Sequence, residues 1–215
     1  FSAAWRSNFV KSDLRKLSID IYHGLSHEIP HGIRRSGIKS VVTIHDLIFE
    51  RYPGQFKPVD VKIYRHKFRY ACNNADHIIA ISEQTKKDII AFYNIPAEKI
   101  TVCYQSCNPI FEKTIDDGTK KNIRKKYRLP SKFLLSVGSI IERKNLLTIC
   151  KALLLLPPDL VLPLVVIGDG KTYKKVVKSF IAANKLDDKI IFLNEKDYAK
   201  NDTGFRTGED FPALF

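Results

Sequence analysis

The chain has 215 residues, which is enough for one large domain or two small ones, and its hydrophobic fraction of 44% suffices for a packed core. No apolar run approaches the roughly 18 residues that span a bilayer, and no signal peptide is recognised. The formal net charge of +13 is compatible with an anionic membrane surface, nucleic acid or phosphorylated small molecules as partners.

Short, nearly continuous apolar runs alternate with amphipathic stretches along the whole chain. Such runs are typical of parallel strands that are covered on both faces. The predicted strands are 19–22, 40–44, 77–81, 99–103, 133–137, 163–167 and 189–193. The predicted helices are 59–74, 83–93, 120–127, 144–156 and 171–184. This alternation favours an α/β fold with open, doubly wound parallel sheets.

The strand–helix alternation breaks between Pro109 and Pro130, around a turn-rich segment and a very basic helix. We therefore predict an N-terminal domain at 1–112, a linker at 113–132 and a C-terminal domain at 133–215. Neither half has the roughly five or six strands of a complete doubly wound domain, so we interpret both domains as incomplete pieces of a longer protein. The polar tail at 196–209 lacks periodicity and is predicted to be a loop.

Candidate site residues of the first sheet follow its predicted strands, because open α/β sheets bind ligands at the carboxyl ends of their strands. Histidine is not a usual turn residue, yet His23 and His45 each follow a strand. The ring of His45 should emerge at the rim of the sheet and hydrogen-bond a hydroxyl-rich ligand or stabilise developing charge; a structural histidine is the alternative. Ser82 is a further candidate, or the N-cap of the next helix.

In the second sheet the strand ends present Gly138-Ser139 and Gly168-Asp169-Gly170, and a short loop then delivers Arg143 and Lys144 to a predicted helix start. A helix N-terminus already carries partial positive charge and unpaired N–H donors, so cations are misplaced there. They make physical sense if an anion lies between donors and cations, and a diphosphate is the usual ligand of such a junction. A solvated surface pair is the alternative.

The sequence lacks the signature motifs of several common classes of enzyme and binding protein. There is no GxSxG, Walker or HExxH motif and no metal-carboxylate cluster, so the common hydrolase, kinase and protease functions are not supported. The cysteines form no CxxC pair, and we expect reduced, mostly buried thiols in a cytosolic protein; they are Cys72, Cys103, Cys107 and Cys150. Neither interleaved aromatics nor a recognisable helix pattern supports nucleic-acid binding.

Four segments together resemble one family, and they occur in family order. They are VVTIHDL at 41–47, ADHIIAISEQTKKD at 75–88, SVGSIIERKN at 136–145 and VIGDG at 166–170. The chain is similar to the retaining glycosyltransferases of family 4 with the GT-B fold, and in particular it resembles bacterial mannosyltransferase-like members. The resemblance implies two Rossmann-like domains that face a cleft, with the N-terminal domain on the acceptor side and the C-terminal domain binding the nucleotide sugar.

The resemblance also implies roles for individual residues. Arg143 and Lys144 match the basic pair that holds the diphosphate of a nucleotide sugar, and His45 matches a histidine that contacts the transferred sugar. Further matches are Gly138 and Ser139 beneath the donor phosphates and Leu193 and Asn194 beside the nucleobase; Gly168 and Gly170 remain cleft candidates.

The implied reaction moves a hexose from a GDP- or UDP-linked donor to a glycan or lipid-linked acceptor with retention of configuration, in surface polysaccharide biosynthesis. No cofactor and no obligatory metal are implied. The family's glycine-rich loop should precede Phe1 and its paired glutamates should follow Phe215, and both are absent from this sequence. The fragment alone is therefore expected to bind donor weakly and transfer nothing.

Two alternatives stay open at this stage. One is a nucleotide-sugar epimerase or phosphorylase of the same fold, and the other is a basic module that binds nucleic acid or a membrane surface without catalysis. For the transferase, we expect a cytoplasmic protein that contacts the inner membrane face through basic residues in or beside one helix. These residues are Lys57, Lys62, Arg65, Lys67 and Arg69.

Overall fold

The computed structural model describes residues 5–215, and the chain divides into two compact units, Phe1–Ser106 and Cys107–Phe215. Each unit is built around its own parallel sheet, and the hydrogen-bonded strand order in each sheet follows the order along the chain. Parallel neighbours require crossover connections, and helices supply most of them. The α/β fold predicted from the sequence is therefore confirmed.

The first unit alternates strands and helices. Its strands are β1 (Ile21–Gly24), β2 (Lys39–Ile44), β3 (His77–Ala80) and β4 (Ile100–Val102). Its helices are α1 (Val10–Lys16), α2 (Ile48–Arg51), α3 (Pro58–Asn74) and α4 (Glu83–Tyr93), with a π-helical turn at Trp5–Phe9 and 3-10 turns at Ile33–Ser36, Pro53–Gln55 and Ala97–Lys99.

Buried and less buried residues alternate along β2, and its buried side chains form part of the core of the first unit. Ser40, Val42 and Ile44 are buried along this strand while the residues between them are not. Val42 pairs with Ile78 of β3, and both side chains are fully buried in one continuous hydrophobic cluster. The buried Ser40 is satisfied because its backbone N–H and its hydroxyl both donate to Asp76, at 2.8 and 3.0 Å.

The second unit has a shorter sheet and more helices. Its strands are β5 (Leu134–Val137), β6 (Leu164–Ile167) and β7 (Ile190–Phe192). Its helices are α5 (Asp117–Lys126), α6 (Leu146–Leu155), α7 (Thr172–Ala183), α8 (Asp197–Lys200) and α9 (Thr203–Thr207), with 3-10 turns at Pro109–Phe111, Glu142–Lys144, Pro158–Leu160, Leu193–Glu195 and Phe211–Leu214.

The central strand β6 is buried on both faces, as a doubly wound sheet requires. Leu164 and Val166 belong to one hydrophobic cluster, which contains residues of α6 and α7. Val165 and Ile167 belong to another cluster, which contains Tyr127 and residues of the C-terminal tail. The continuous apolar run of β6 in the sequence is thus explained by its two packed faces.

The tail is more ordered than the sequence suggested, so the interpretation of 196–209 as a loop was wrong. Helices α8 and α9 occupy most of it, and Asp202 caps α9 by accepting the backbone N–H of Phe205 at 3.0 Å. The hydroxyl of Tyr127 donates to both Asp202 and Asp210, which attaches the tail to the end of α5. Lys126 adds ion pairs to the same two carboxylates.

Two further differences from the sequence-based picture concern the linker and the cysteines. The segment at 113–132 contains α5 and falls within the second unit, where Tyr127 is fully buried. Cys72 and Cys150 are buried, but Cys103 and Cys107 are exposed, so the prediction of mostly buried thiols holds for only half of them. Burial raises the pKa of the Cys72 thiol to about 12.

Candidate functional site

In the second unit, the loops that follow β5 and β6 approach each other so closely that glycine is required. Gly168 has a φ of +152°, and a Cβ there would lie 1.9 Å from the carbonyl oxygen of Gly138. A Cβ on Gly170 would lie 2.1 Å from the carbonyl oxygen of Ile140. Gly138 itself has a φ of +139° but opens onto free space. These glycines therefore shape the strand ends by backbone contact and conformation.

The residues predicted beside the nucleobase lie at the end of β7. The side chain of Leu193 is 0% exposed and belongs to the core. The side-chain oxygen of Asn194 accepts the backbone N–H of Gly168 at 2.6 Å, which ties the third strand end to the second. A ligand beside these residues would therefore meet the backbone of Leu193 and the remaining amide group of Asn194.

Arg143 and Lys144 lie in the 3-10 turn Glu142–Lys144, directly before α6. Asn145 separates the turn from the helix with a φ of +54°. Within residues 5–215, neither basic side chain has an ion pair or a hydrogen bond, and both residues are exposed, as is Ser139. Two unpaired cations thus stand beside the positive end of a helix, where they repel one another and the helix dipole unless an anion is present.

Some lysines of this unit are paired with carboxylates. Lys174 contacts Asp169 and Glu195 at 2.7 and 2.9 Å, and Lys178 contacts Glu195 at 2.7 Å. The contact with Lys174 holds the pKa of Asp169 below its usual value. Most basic residues of this unit have no ion pair in the described part of the chain, so what distinguishes Arg143 and Lys144 is their position beside the start of α6.

A cavity of about 470 Å³ opens at the carboxyl ends of β5 and β6, and its volume is typical of small-molecule sites. Gly138, Gly168 and Asn194 line it together with two basic residues of the tail, Lys200 and Arg206. Lys200 is paired with Asp197 at 2.5 Å, whereas Arg206 has no ion pair among the described residues. Ser139, Arg143 and Lys144 do not line this cavity.

The sequence analysis missed Lys200 and Arg206 because the tail was taken for a loop. Asp202, a favourable N-cap residue, was the signal in the sequence for the helix that carries Arg206. Recognising it would have placed Arg206 on a helix.

In the first unit, His45 follows β2 and is half-buried. Its Nε2 lies 2.9 Å from the carbonyl oxygen of Leu25. Because a carbonyl oxygen only accepts, Nε2 carries the proton and donates it. In the neutral ring, Nδ1 is then left as an acceptor. The backbone carbonyl of His45 accepts the hydroxyl of Thr85 at 3.1 Å, which fixes the position of the residue at the strand end.

His27, which the sequence analysis did not select, is the direct neighbour of His45. The backbone N–H of His45 donates to Nδ1 of His27 at 3.3 Å, and the two ring centroids are 5.0 Å apart. His27 has a φ of +64° and its ring stacks on Phe68 at 4.3 Å. Burial, together with the proximity of His45, lowers the pKa of His27 to about 4, so its ring is neutral at physiological pH.

The two remaining candidates of the first unit have structural partners. His23 lies within β1 and its Nε2 is 2.8 Å from the hydroxyl of Thr43 on the neighbouring strand. Ser82 is the N-cap of α4, and its hydroxyl accepts the backbone N–H of Thr85 at 3.1 Å. In this structure the side chain of Ser82 therefore caps a helix, which was the alternative to a role in the site.

Two kinds of feature are absent from residues 5–215. This part of the chain contains no group of three or more His, Cys, Asp and Glu residues that could hold a metal ion. None of its helices combines the length and the apolar character needed to cross a bilayer.

Sequence models of two glycosyltransferase families match the chain. The model described as Glycosyltransferase Family 4 matches residues 2–109, which is half of the chain. The chain belongs to glycosyltransferase family 4. The second unit of this family 4 chain is matched over residues 119–207 by the model described as Glycosyl transferases group 1.

Curated relatives of the family 4 chain include mannosyltransferases. The serotype-specific mannosyltransferase WbdA of Escherichia coli is 27% identical over 82% of this chain and 21% of its own length. The O-antigen chain mannosyltransferase B of Escherichia coli is 27% identical over 68% of this chain and 37% of its own length. The chain therefore spans well under half the length of these relatives.

Solved structures show the fold of the family 4 chain. The Anabaena protein Alr3699/HepE, crystallised with UDP, matches with a TM-score of 0.69 at 17% identity, over 96% of this chain and 52% of that protein. WaaG, a glycosyltransferase involved in lipopolysaccharide biosynthesis, matches with a TM-score of 0.58 at 16% identity, over 95% of this chain and 60% of its own. The two units are thus Rossmann-like units of the GT-B type, as the resemblance implied.

Proposed function

We propose that the protein transfers a hexose from a nucleotide sugar to a glycan or lipid-linked acceptor in surface polysaccharide biosynthesis. The observation that carries the proposal is the pair of exposed, unpaired cations, Arg143 and Lys144, beside the start of α6. Support for a GDP- or UDP-linked donor comes from the Anabaena neighbour, which was crystallised with UDP. Support for mannose comes from the named mannosyltransferase relatives.

In the proposed reaction the bond between the anomeric carbon and the diphosphate oxygen breaks. The acceptor oxygen forms the new bond on the same face of the sugar, which retains the configuration, and its proton passes to the departing diphosphate. Arg143 and Lys144 stabilise the charge that develops on this leaving group. The proposed reaction uses neither an obligatory metal nor a cofactor.

His45 is proposed to contact the transferred sugar. Its Nε2 proton is engaged by Leu25, so Nδ1 of the neutral ring is the atom left to accept a sugar hydroxyl. His27 holds the backbone of His45 in place without competing for that atom. The first unit therefore contributes a fixed acceptor to the reaction, whereas the second unit contributes the cations.

Replacing His45 by alanine in the whole protein is expected to lower kcat/KM by about twofold to tenfold, the effect of one hydrogen bond between neutral groups of about 0.5–1.5 kcal/mol. Initial rates with GDP-mannose and UDP-glucose measure this loss. His77→Ala is the matched control, because His77 begins β3 and its ring contacts Thr101 at 2.9 Å. It therefore lies at the amino ends of the strands, whereas His45 lies at their carboxyl ends. Wild-type turnover in the His45 variant, or equal losses in both, would contradict the role.

A further part of the proposal is a cytoplasmic protein that binds the anionic inner face of the membrane through basic residues at α3. The structure reduces the charge available for this, because Arg65 is paired with Glu50 and Lys67 with Glu28. Lys57 and Lys62 have no ion pair among the described residues. Each free cation near an anionic surface contributes about 1 kcal/mol, so binding should be weak and reversible.

Co-sedimentation with vesicles tests the membrane proposal. Wild type should bind phosphatidylserine-containing vesicles and dissociate at high salt. The Lys57→Ala/Lys62→Ala variant should bind less than Lys151→Ala/Lys185→Ala, which removes the same charge from exposed positions of the second unit. Equal partitioning onto neutral and anionic vesicles would refute it.

A further inference from the structure

A second cavity, which we call the basic cavity, lies in the first unit between α1 and the 3-10 turn Ile33–Ser36. Its volume is about 340 Å³, which is within the range of small-molecule sites. Arg15 precedes β1 and Arg35 precedes β2, so both belong to segments that lead into the strands and not to the residues that follow them. The lining residues are Asn8, Phe9, Lys11, Ser12, Arg15, Gly32 and Arg35.

One wall of the basic cavity is a face of α1, and the spacing of residues along this helix explains it. Val10 is buried, and Leu14 packs against the core of the first unit. Lys11 and Arg15 follow these two residues by one position each, so they share the neighbouring face, because residues four apart lie on the same side of a helix. The amino group of Lys11 donates to the backbone carbonyl of His31, which ties α1 to the loop before the turn.

The other wall is the 3-10 turn, and the fold holds it in a fixed shape. Gly32 and Gly37 flank the turn with φ of +71° and +79°, values that glycine adopts without strain. Ile33 is 0% exposed, and the backbone N–H of Gly32 donates to the hydroxyl of Tyr70 at 2.6 Å. Arg35 therefore stands on a backbone that is already ordered, which reduces the entropy cost of binding a ligand.

The described residues that line the basic cavity include three cations and no carboxylate. Within residues 5–215, the side chains of Arg15 and Arg35 have neither an ion pair nor a hydrogen bond. Lys11 uses one ammonium proton on a carbonyl group, which leaves its charge uncompensated. Asp13, the acidic residue of α1, accepts the indole N–H of Trp5 at 3.0 Å. Three like charges around one cavity repel one another unless an anion is bound.

A phosphate group carried as a monoester matches this lining. At pH 7 it brings a charge of about −1.5 to −2 and three acceptor oxygens, and the planar fork of an arginine binds two such oxygens at once. Ser12 and Asn8 add neutral donors to the lining. The ring of Phe9, which is 64% exposed, provides an apolar edge for the organic part of the ligand. A single carboxylate would compensate only one of the three cations.

We propose that the basic cavity binds a phosphomonoester, with Arg15 contacting the phosphate group from α1, Arg35 contacting it from the turn, and Lys11 as the third cation. This inference does not rest on the proposed transferase function, because it uses none of the residues that the transfer reaction uses. The same phosphate chemistry occurs in soluble glycerol or sugar phosphates and in phosphatidate of a bilayer, and the test separates these two sources.

The test uses the 215-residue chain with Arg143→Ala/Lys144→Ala as the parent, so that the proposed diphosphate site does not contribute. Binding of glycerol 3-phosphate is followed by phosphorus NMR titration at constant ionic strength. Binding to phosphatidate-containing vesicles, which carry the same glycerol phosphate group on a lipid, is followed by co-sedimentation.

The variant Arg15→Gln/Arg35→Gln removes two cations from the lining, and Arg35→Gln alone repeats the test with α1 unchanged. The matched control is Lys16→Gln/Arg34→Gln, which removes the same charge from adjacent exposed positions of the same helix and turn, outside the lining. None of these four side chains has an ion pair among the described residues, so the substitutions break no salt bridge of the protein.

We expect the affinity for glycerol 3-phosphate to fall at least about tenfold in Arg15→Gln/Arg35→Gln, to fall in Arg35→Gln, and to be unchanged in the control. A parallel fall in vesicle binding would support the site with a lipid as a source of the phosphate. Vesicle binding that is equal in variant and control would support the site with a soluble ligand.

Three results overturn the inference. The first is that the parent chain does not bind glycerol 3-phosphate, and the second is that the variant and the control lose affinity equally, which is the behaviour of a generally basic surface. The third is that Arg15→Gln/Arg35→Gln, introduced into the otherwise unchanged chain, lowers the affinity for GDP tenfold, because these arginines would then serve the donor site.

Discussion

Replacing both Arg143 and Lys144 by alanine is expected to weaken nucleoside diphosphate binding by at least about a hundredfold. A charge-assisted contact to phosphate contributes roughly 1.5–3 kcal/mol, and about 1.4 kcal/mol corresponds to a factor of ten. Neither side chain has a partner within residues 5–215, so the substitutions break no contact of the protein itself. The loss should therefore appear in affinity and not in stability.

The measurement is calorimetric titration of GDP and UDP at constant ionic strength. The control is Lys151→Ala/Lys185→Ala, which removes the same charge from two other exposed positions of the second unit. This control separates a local contact from the general attraction of a basic protein for an anion. If both double variants lose affinity equally, or if neither does, the diphosphate site is not at the turn before α6.

Replacing Gly168 by alanine is expected to destabilise the second unit by about 3 kcal/mol and to weaken nucleotide binding with it. The φ of +152° is accessible almost only to glycine, which costs about 1–3 kcal/mol for another residue. The added Cβ would also lie 1.9 Å from the carbonyl oxygen of Gly138, so the two strand-end loops must separate. Their separation would break the 2.6 Å hydrogen bond between Asn194 and Gly168.

Gly138→Ala is the matched comparison for Gly168→Ala. Its φ of +139° imposes similar backbone strain, but a Cβ there meets nothing within 4 Å. We expect it to cost only about 1–2 kcal/mol. Because the chain has two units, stability is best followed by hydrogen exchange on peptides of each unit in increasing urea. Equal losses in the two variants, or a loss confined to peptides of the first unit, would show that the close approach of the loops is not what requires glycine.

Secondary structure was predictable where periodic apolar patterns were long. Helix α4 was placed at its observed bounds and β6 within one residue, because packing on both faces leaves a continuous apolar run. The short helices α8 and α9 were missed, since four or five residues show no period. Their order depends on contacts with Tyr127, which is remote in sequence.

The candidate site was predictable in part. The basic pair at Arg143 and Lys144 carried a signal in the sequence, because cations before a helix are unusual. Their lack of an acidic partner is visible only in three dimensions. The position of His27 was not predictable, because it depends on a left-handed backbone and on stacking with Phe68 from a distant helix. The ion pairs of Arg65 and Lys67 were not predictable either, because their glutamate partners are distant in the sequence.

The attachment of the tail by Tyr127 has a consequence for the order in which the second unit is completed during synthesis. The hydroxyl of Tyr127 joins carboxylates that lie 75 and 83 residues further along the chain. Until Asp202 and Asp210 leave the ribosome, the buried face of Tyr127 and its neighbours on β6 lack the tail residues that cover them. Contacts of such long sequence separation form slowly. The nascent second unit is therefore exposed to aggregation and proteolysis until the segment that carries Asp202 and Asp210 has been added.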